Sequence, residues 1–262
     1  MEASKRGSLP MQPNVILSKT QAPSTPEEVK RMIGVPYASA IGSIMYAMRC
    51  TRPDVSFALN MTSRYQQNPG DSHWTAVKNI LKYLRNTKDM FLVYGGFDEL
   101  SVKCYTDASF ETDRDDSRSQ SGYVFVMNGG AVDWRSSKQS TTAMSTTESE
   151  YIPASEAAQE TVWIRKFISG LGVVPSIENP MDMYCDNTSA IVIANEPGVL
   201  RGAKHILRKF HYIREVIERG DVRIQKVPTE DNLAEPFTKP MSCTKHVEHS
   251  RNIGLRPTNS FM

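Results

Sequence analysis

Four acidic residues carry the chemistry that this 262-residue sequence could perform. They are Asp107 in Tyr-Thr-Asp-Ala-Ser, Glu150 in Thr-Glu-Ser-Glu-Tyr, Asp186 in Tyr-Cys-Asp-Asn and Glu235 in Asn-Leu-Ala-Glu-Pro. Each falls where the local pattern predicts a strand about to end or a helix about to begin. A fold that gathers such ends makes a cluster of hard oxygen ligands, which suits Mg²⁺ or Mn²⁺. Two ions held this way would activate a water and stabilise the leaving oxygen in cleavage of a phosphodiester.

The elements that must position these residues follow from periodicity. Residues 1–36 carry many Pro, Ser, Lys and Glu with little periodicity, so an irregular, poorly anchored arm is expected. Over 37–95 the apolar spacing predicts helices: residues 37–48, a second to about Gln67 after Arg52-Pro53-Asp54, and a third over 72–85. The polar face of the third offers Lys78, Lys82 and Arg85 as candidate phosphate contacts, against the plainer reading of a solvated helix face. From Met90 the period changes. Strands are expected over 90–94, 100–106, 122–127 and 131–135, the last two joined by Asn128-Gly129-Gly130, a hairpin signal. Ser145-Thr146-Thr147-Glu148 matches a capping box opening a long helix towards Leu171. A buried strand over 181–185, helices over 188–194 and 205–219, a strand over 222–227 and a short helix over 232–239 complete a mixed α/β pattern. Residues 241–262 read as a tail.

Composition narrows the setting. Hydrophobic residues make up 39% and charged residues 23%, and the net charge is +2, so a basic surface would have to come from local segregation. Cys50, Cys104, Cys185 and Cys243 lie far apart without paired spacing, which points to reduced thiols and an intracellular, cytoplasmic setting. Residues 1–14 do not form a signal peptide, and no apolar run has the length of a membrane span.

Several segments, in order, carry a resemblance. Residues 37–46 (Tyr-Ala-Ser-Ala-Ile-Gly-Ser-Ile-Met-Tyr), 50–55 (Cys-Thr-Arg-Pro-Asp-Val), 117–123 (Ser-Arg-Ser-Gln-Ser-Gly-Tyr) and 136–139 (Ser-Ser-Lys-Gln) resemble the Pol polyprotein of copia-type LTR retrotransposons. So do 145–151, 204–206 (Lys-His-Ile) and 237–240 (Phe-Thr-Lys-Pro). The resemblance implies that residues 1–95 match the end of the reverse transcriptase, with a thumb- or connection-like helical segment over 37–95. Residues 98–240 would form a ribonuclease H-like domain with a mixed five-stranded sheet and helices. It further implies two Mg²⁺ ions, or Mn²⁺, with Asp107 bridging both and Glu150, Asp186 and Glu235 as further ligands. The activity implied is hydrolysis of the RNA strand of an RNA–DNA hybrid, the hybrid being recognised by shape, 2′-hydroxyls and phosphates. The implied setting is a virus-like particle beside an upstream reverse-transcriptase region, with no membrane partner.

Each assignment has a competitor. Glu148 lies close to Glu150, but its third helical position suits capping. Asp182 shares a strand side with Asp186 yet lies far from the carboxyl end, where solvation is expected. Asp113, Asp115 and Asp116 read as a solvated turn. Cys243, His246 and His249 have zinc-ligand chemistry without a fourth partner, so coincidence is expected. His205 and His211 sit on an amphipathic helix, where packing or surface roles are the plainer reading. Trp134 and Trp163 are expected in the core. Three departures from the family pattern stand out: no Tyr-x-Asp-Asp occurs, so no polymerase active site is expected in this chain; Pro153 falls inside the long helix, at an expected cost of about 3 kcal/mol or a kink; and Glu235 replaces the family's Asp. Together they keep open a catalytically decayed remnant that retains the fold and at most binds nucleic acid.

Overall fold

The computed structural model describes residues 4–95, 100–172, 174, 177, 179–196 and 207–258. The chain divides into two compact units. One comprises Met1–Val93, Asp113–Ser117 and Lys239–Met262; the other comprises Tyr94–Thr112 and Arg118–Thr238.

The first unit is helical. Helix α1 (Pro26–Ile33) starts at a capping box: Thr25 accepts from the Glu28 N–H, and the Glu28 carboxylate accepts the Thr25 N–H at 3.0 Å. Then come α2 (Tyr37–Cys50), a 3₁₀ turn (Pro53–Val55), α3 (Ser56–Ser63), α4 (Asp71–Asn86) and a short strand β1 (Met90–Leu92). Ile41, Ile44, Val55, Val77 and Ile80 form the centre of its core. Met11 and Leu17 are buried in the same core, so residues 4–36 of the expected irregular arm are instead an integral part of this unit. Its apolar anchors are isolated among polar residues and leave no periodic trace.

The second unit holds β2 (Val102–Ser109), β3 (Gln120–Met127), β4 (Gly130–Lys138), α5 (Thr146–Leu171), β5 (Met181–Cys185), α6 (Thr188–Asn195), α7 (Leu207–Glu218) and β6 (Val222–Lys226). Its sheet has the order β4-β3-β2-β5-β6. The first three strands form an antiparallel meander, and β5 and β6 continue in parallel from β2. This is the expected ribonuclease H-like, mixed five-stranded sheet. The β3–β4 turn places Asn128 at φ 49° and Gly129 at φ 81°, the left-handed pair that a tight hairpin needs. Helix α5 lays Ile152, Ala157, Ala158, Ile164 and Ile168 into the core beneath the sheet, where the small alanines permit close approach.

The chain then returns to the first unit with α8 (Cys243–Asn252) and β7 (Leu255–Pro257), which pairs antiparallel with β1. Residues 241–258 are therefore not a loose tail. The inward face of α8 is built from His246 and His249 rather than aliphatic residues, so apolar periodicity misses it. Three other expectations change. The strand at Met90 pairs with β7 and stands outside the main sheet. The helix expected over 232–239 is replaced by 3₁₀ turns at Thr229–Asp231 and Glu235–Phe237, because the Asn232 side chain takes the Ala234 N–H at 3.1 Å and competes with a helical ladder. Trp163 is not core: it is 62% exposed and stacks on Phe167 with centroids 5.4 Å apart, while Trp134 is half-buried.

Candidate functional site

The site lies in the second unit, at the carboxyl ends of the central parallel strands. Strands β2 and β5 are neighbours in parallel register, with Thr106 opposite Cys185. Asp107 and Asp186 are each the next residue, so the two strands deliver both acids to one end of the sheet. Strand β2 runs on to Ser109, so Asp107 lies inside the strand, where it pairs with Gly122 of β3. Helix α5 opens at Ser145, whose hydroxyl accepts the Glu148 N–H at 3.1 Å, and Glu150 follows in the first turns. Glu148 itself accepts the Met144 N–H, so it serves the helix start as expected.

Glu150, Cys185 and Asp186 offer ligand atoms that all lie within 4.8 Å of one another. Asp107 is 2% and Glu150 8% exposed, which is unusual for carboxylates unless something compensates their charge. The Asp186 Oδ1 atom is buried and accepts no hydrogen bond. Burial pushes the Cys185 thiol up to about 12, and the negative charges of Glu150, Asp186 and Asp107 push in the same direction. Glu150 and Asp186 contribute carboxylate oxygens to this group, and such oxygens fit a hard divalent ion.

A polar frame holds these groups. The Thr238 hydroxyl donates to Asp107 Oδ2 and also lies 3.0 Å from the Glu235 carbonyl. Asn232 Nδ2 donates to the Thr106 carbonyl at 2.9 Å, tying the last segment of the unit to β2. Ser136 Oγ donates to the Phe237 carbonyl at 2.6 Å and accepts from Gln120 Nε2 at 2.8 Å. A Cβ on Gly122 would lie 2.7 Å from Phe237 Cβ and 2.8 Å from Thr238 Cγ2, so only glycine lets this segment lie across β3. Glu235 is buried on that segment, in the 3₁₀ turn beside Asp107's strand, and neither its carboxylate nor that of Asp107 is in the tight Glu150–Cys185–Asp186 group. Lys226 of β6 donates to the Asp186 carbonyl.

Sequence reasoning did not single out Cys185, Thr238, Asn232 or Gln139. For Thr238 and Gln139 a signal existed, since both fall in quoted motif segments (237–240 and 136–139); Cys185 directly precedes Asp186, and Asn232 opens the segment Asn-Leu-Ala-Glu-Pro around Glu235.

The competing candidates resolve individually. Asp182 accepts from Arg223 Nε at 2.8 Å and Gln225 Nε2 at 2.7 Å, away from the acids at the other strand end. Asp113 is not solvated: it is buried against Arg64 at 2.5 Å, within the first unit. Asp115 accepts the Lys19 N–H at 2.9 Å. Cys243 is exposed, whereas His246 is buried with Nε2 3.1 Å from the Tyr83 hydroxyl, so the two do not share a ligand role. His211 is exposed on α7, and His205 lies outside the described residues. Lys78, Lys82 and Arg85 sit on α4 of the first unit, where Arg85 donates to the Ser4 carbonyl at 2.9 Å.

No family model matches the chain. Over 239 residues, 91% of the chain, it is 42% identical to the retrovirus-related Pol polyprotein from transposon TNT 1-94 of Nicotiana tabacum, covering 18% of that protein. Over 133 residues, 51% of the chain, it is 45% identical to secreted RxLR effector protein 161 of Plasmopara viticola, covering 94% of that protein. Among solved structures, RNase H1 from the halophilic archaeon Halobacterium salinarum NRC-1 is 18% identical with a TM-score of 0.37, covering 53% of this chain and 94% of that one. The chain spans no more than 18% of the curated Pol polyproteins it matches.

Proposed function

We propose, from the premise that this chain belongs to the Pol polyproteins of copia-type LTR retrotransposons, that its second unit is a metal-dependent endonuclease cutting the RNA strand of RNA–DNA hybrids. The observation that carries the reading is the convergence of Glu150 and Asp186 within 4.8 Å, beside Asp107 on the neighbouring strand. Gathered carboxylates suit Mg²⁺ or Mn²⁺, two ions in the family reading, and the metal would supply a nucleophilic water and a counter-charge for the leaving oxygen.

The chain's own residues do the positioning. Asp107, Glu150 and Asp186 would hold the metal, with Glu235 at the edge of the site. Thr238 orients the Asp107 carboxylate by donating to Oδ2. The buried Cys185 sulfur lies within 4.8 Å of the Glu150 and Asp186 ligand atoms. The hybrid, and an upstream reverse-transcriptase region of a longer Pol, are the partners this reading implies; Lys78, Lys82 and Arg85 are the candidate phosphate contacts. No helix among the described residues is long and apolar enough to cross a membrane.

One observation favours a second reading, a remnant that keeps the fold but cleaves poorly. Glu235 stands where the family has Asp, and its carboxylate, like that of Asp107, lies outside the tight group. The test is digestion of a labelled RNA–DNA hybrid by the full chain with Mg²⁺ and with Mn²⁺, using Asp107→Asn as the blank. Cleavage of the RNA strand by the parent and not by the variant supports the enzyme; equal products in both, or none with either ion, select the remnant.

A further inference from the structure

Pro153 lies inside α5, yet the helix runs unbroken from Thr146 to Leu171. Proline has no N–H, so the carbonyl of Ser149, one turn earlier, lacks its usual helical donor. Ser149 is buried, and a buried carbonyl left without a donor is costly. Gln139 supplies the missing bond: its Nε2 lies 2.8 Å from the Ser149 carbonyl and 2.9 Å from Ser121 Oγ. Both amide protons are thereby used, and the orientation is fixed chemically, because a carbonyl only accepts. Gln139 is itself 2% exposed, and its backbone N–H donates to the Ser119 carbonyl at 2.9 Å, which anchors it beside the ends of β3 and β4. Ser149 is the residue directly before Glu150.

We propose that Gln139 is a positioning residue: it replaces the helical N–H that Pro153 cannot give, and so holds the turn of α5 that aims Glu150 into the site. This rests on the reading of that site as a metal centre. The bond joins residues 136–139 to residues 145–151, two of the segments that carry the family resemblance, and gives Gln139 a task. It also explains how a proline is tolerated three residues from a ligand without interrupting the helix.

A double-mutant cycle on the full chain tests it, with Gln139→Leu and Pro153→Ala singly and together. Two readouts are used: the melting temperature without metal, and the Mg²⁺ concentration that half-saturates the rise in melting temperature and, separately, hybrid cleavage. In the parent background, Gln139→Leu should lower melting by about 4 °C and raise the Mg²⁺ midpoint about tenfold. In the Pro153→Ala background the restored N–H serves Ser149, and both effects should fall by more than half. Gln139→Glu, which keeps the shape but turns an acceptor towards the carbonyl, should match or exceed Gln139→Leu. Equal losses in both backgrounds overturn the substitution of one donor for the other. Coupled melting with an unmoved Mg²⁺ midpoint overturns the positioning role. A parent that shows the coupled melting and the Mg²⁺-induced rise but cleaves no hybrid refutes the nuclease reading alone, whereas a parent without that rise removes the positioning role together with the metal centre.

Discussion

The two units each bury a set of ionisable groups, and they treat the charge in opposite ways. In the first unit, Asp54 is fully buried, and Arg52 meets it with two hydrogen bonds of 3.0 and 2.7 Å; Tyr83 adds its hydroxyl at 2.6 Å, and His246 closes the network through that hydroxyl at 3.1 Å. Burial works against the Asp54 carboxylate, but Arg52 and the hydrogen bonds outweigh it and hold Asp54 below the ordinary carboxylate range. In the second unit, the Asp186 carboxylate is grouped with the Glu150 carboxylate and the Cys185 thiol, and Lys226 meets the Asp186 backbone carbonyl rather than its carboxylate. A chain that supplies its own counter-charge gains a fastening; a chain that gathers like charges makes a seat for a cation from outside. Both arrangements contain buried acids, so burial alone does not distinguish structure from function. The sign of the neighbouring charge does.

The largest test of that contrast is Arg52→Leu. Leaving Asp54 buried and uncompensated should cost about 3–5 kcal/mol, read by urea unfolding of the full chain; a loss under about 1 kcal/mol would show that the network does not fasten the first unit. Asp186→Asn should do the reverse. It removes repulsion, so metal-free stability should hold or rise, while hybrid cleavage falls at least about a hundredfold, more than loss of an outer-shell partner costs. If Asp186→Asn unfolds the protein as Arg52→Leu does, the contrast fails.

Acid should affect the two units differently. Burial pushes His246 below its ordinary 6.5, and Asp54 only partly restores it. Above pH 6.5 the ring is neutral in both folded and unfolded chains. As pH falls below 6.5 the unfolded chain takes up the proton first, so stability drops until the lower, folded value is passed. His73, also lowered by burial, acts in the same direction. The loss should be at most about 1.4 kcal/mol per pH unit for each histidine. His246→Gln should flatten part of that slope, and an unchanged pH dependence in this variant would rule His246 out. The smallest effect expected is from Glu235→Asp, which removes the extra methylene and should raise Mg²⁺-supported cleavage a few-fold, with less gain in Mn²⁺, because Mg²⁺ tolerates distorted geometry poorly. No gain in cleavage with Mg²⁺ would show that the longer side chain does not limit the site.

The second unit was legible in the sequence because its signals are strong and local. Alternation marks its strands, Asn128-Gly129 marks its hairpin, Ser145 marks the start of α5, and the acids stand beside these signals. The first unit was legible only in its middle. Met11 and Leu17 join the core singly, and α8 turns His246 and His249 inward, so neither end shows apolar periodicity. Asp113 looked like a solvated turn because its partner Arg64 lies forty-nine residues away, a distance no local pattern spans. Pro153 suggested a costly or kinked helix, since the compensating Gln139 side chain comes from the loop after β4. Trp163 was misplaced because an exposed indole on a helix has the same residue type as a buried one.

Crystals of the full chain soaked in Mn²⁺ and measured at the manganese absorption edge test the central claim most directly. An anomalous peak about 2.1–2.2 Å from oxygens of Glu150 and Asp186, with Asp107 in the same shell, is the predicted result. A peak elsewhere, or none at saturating Mn²⁺ with the three carboxylates turned apart, would contradict it.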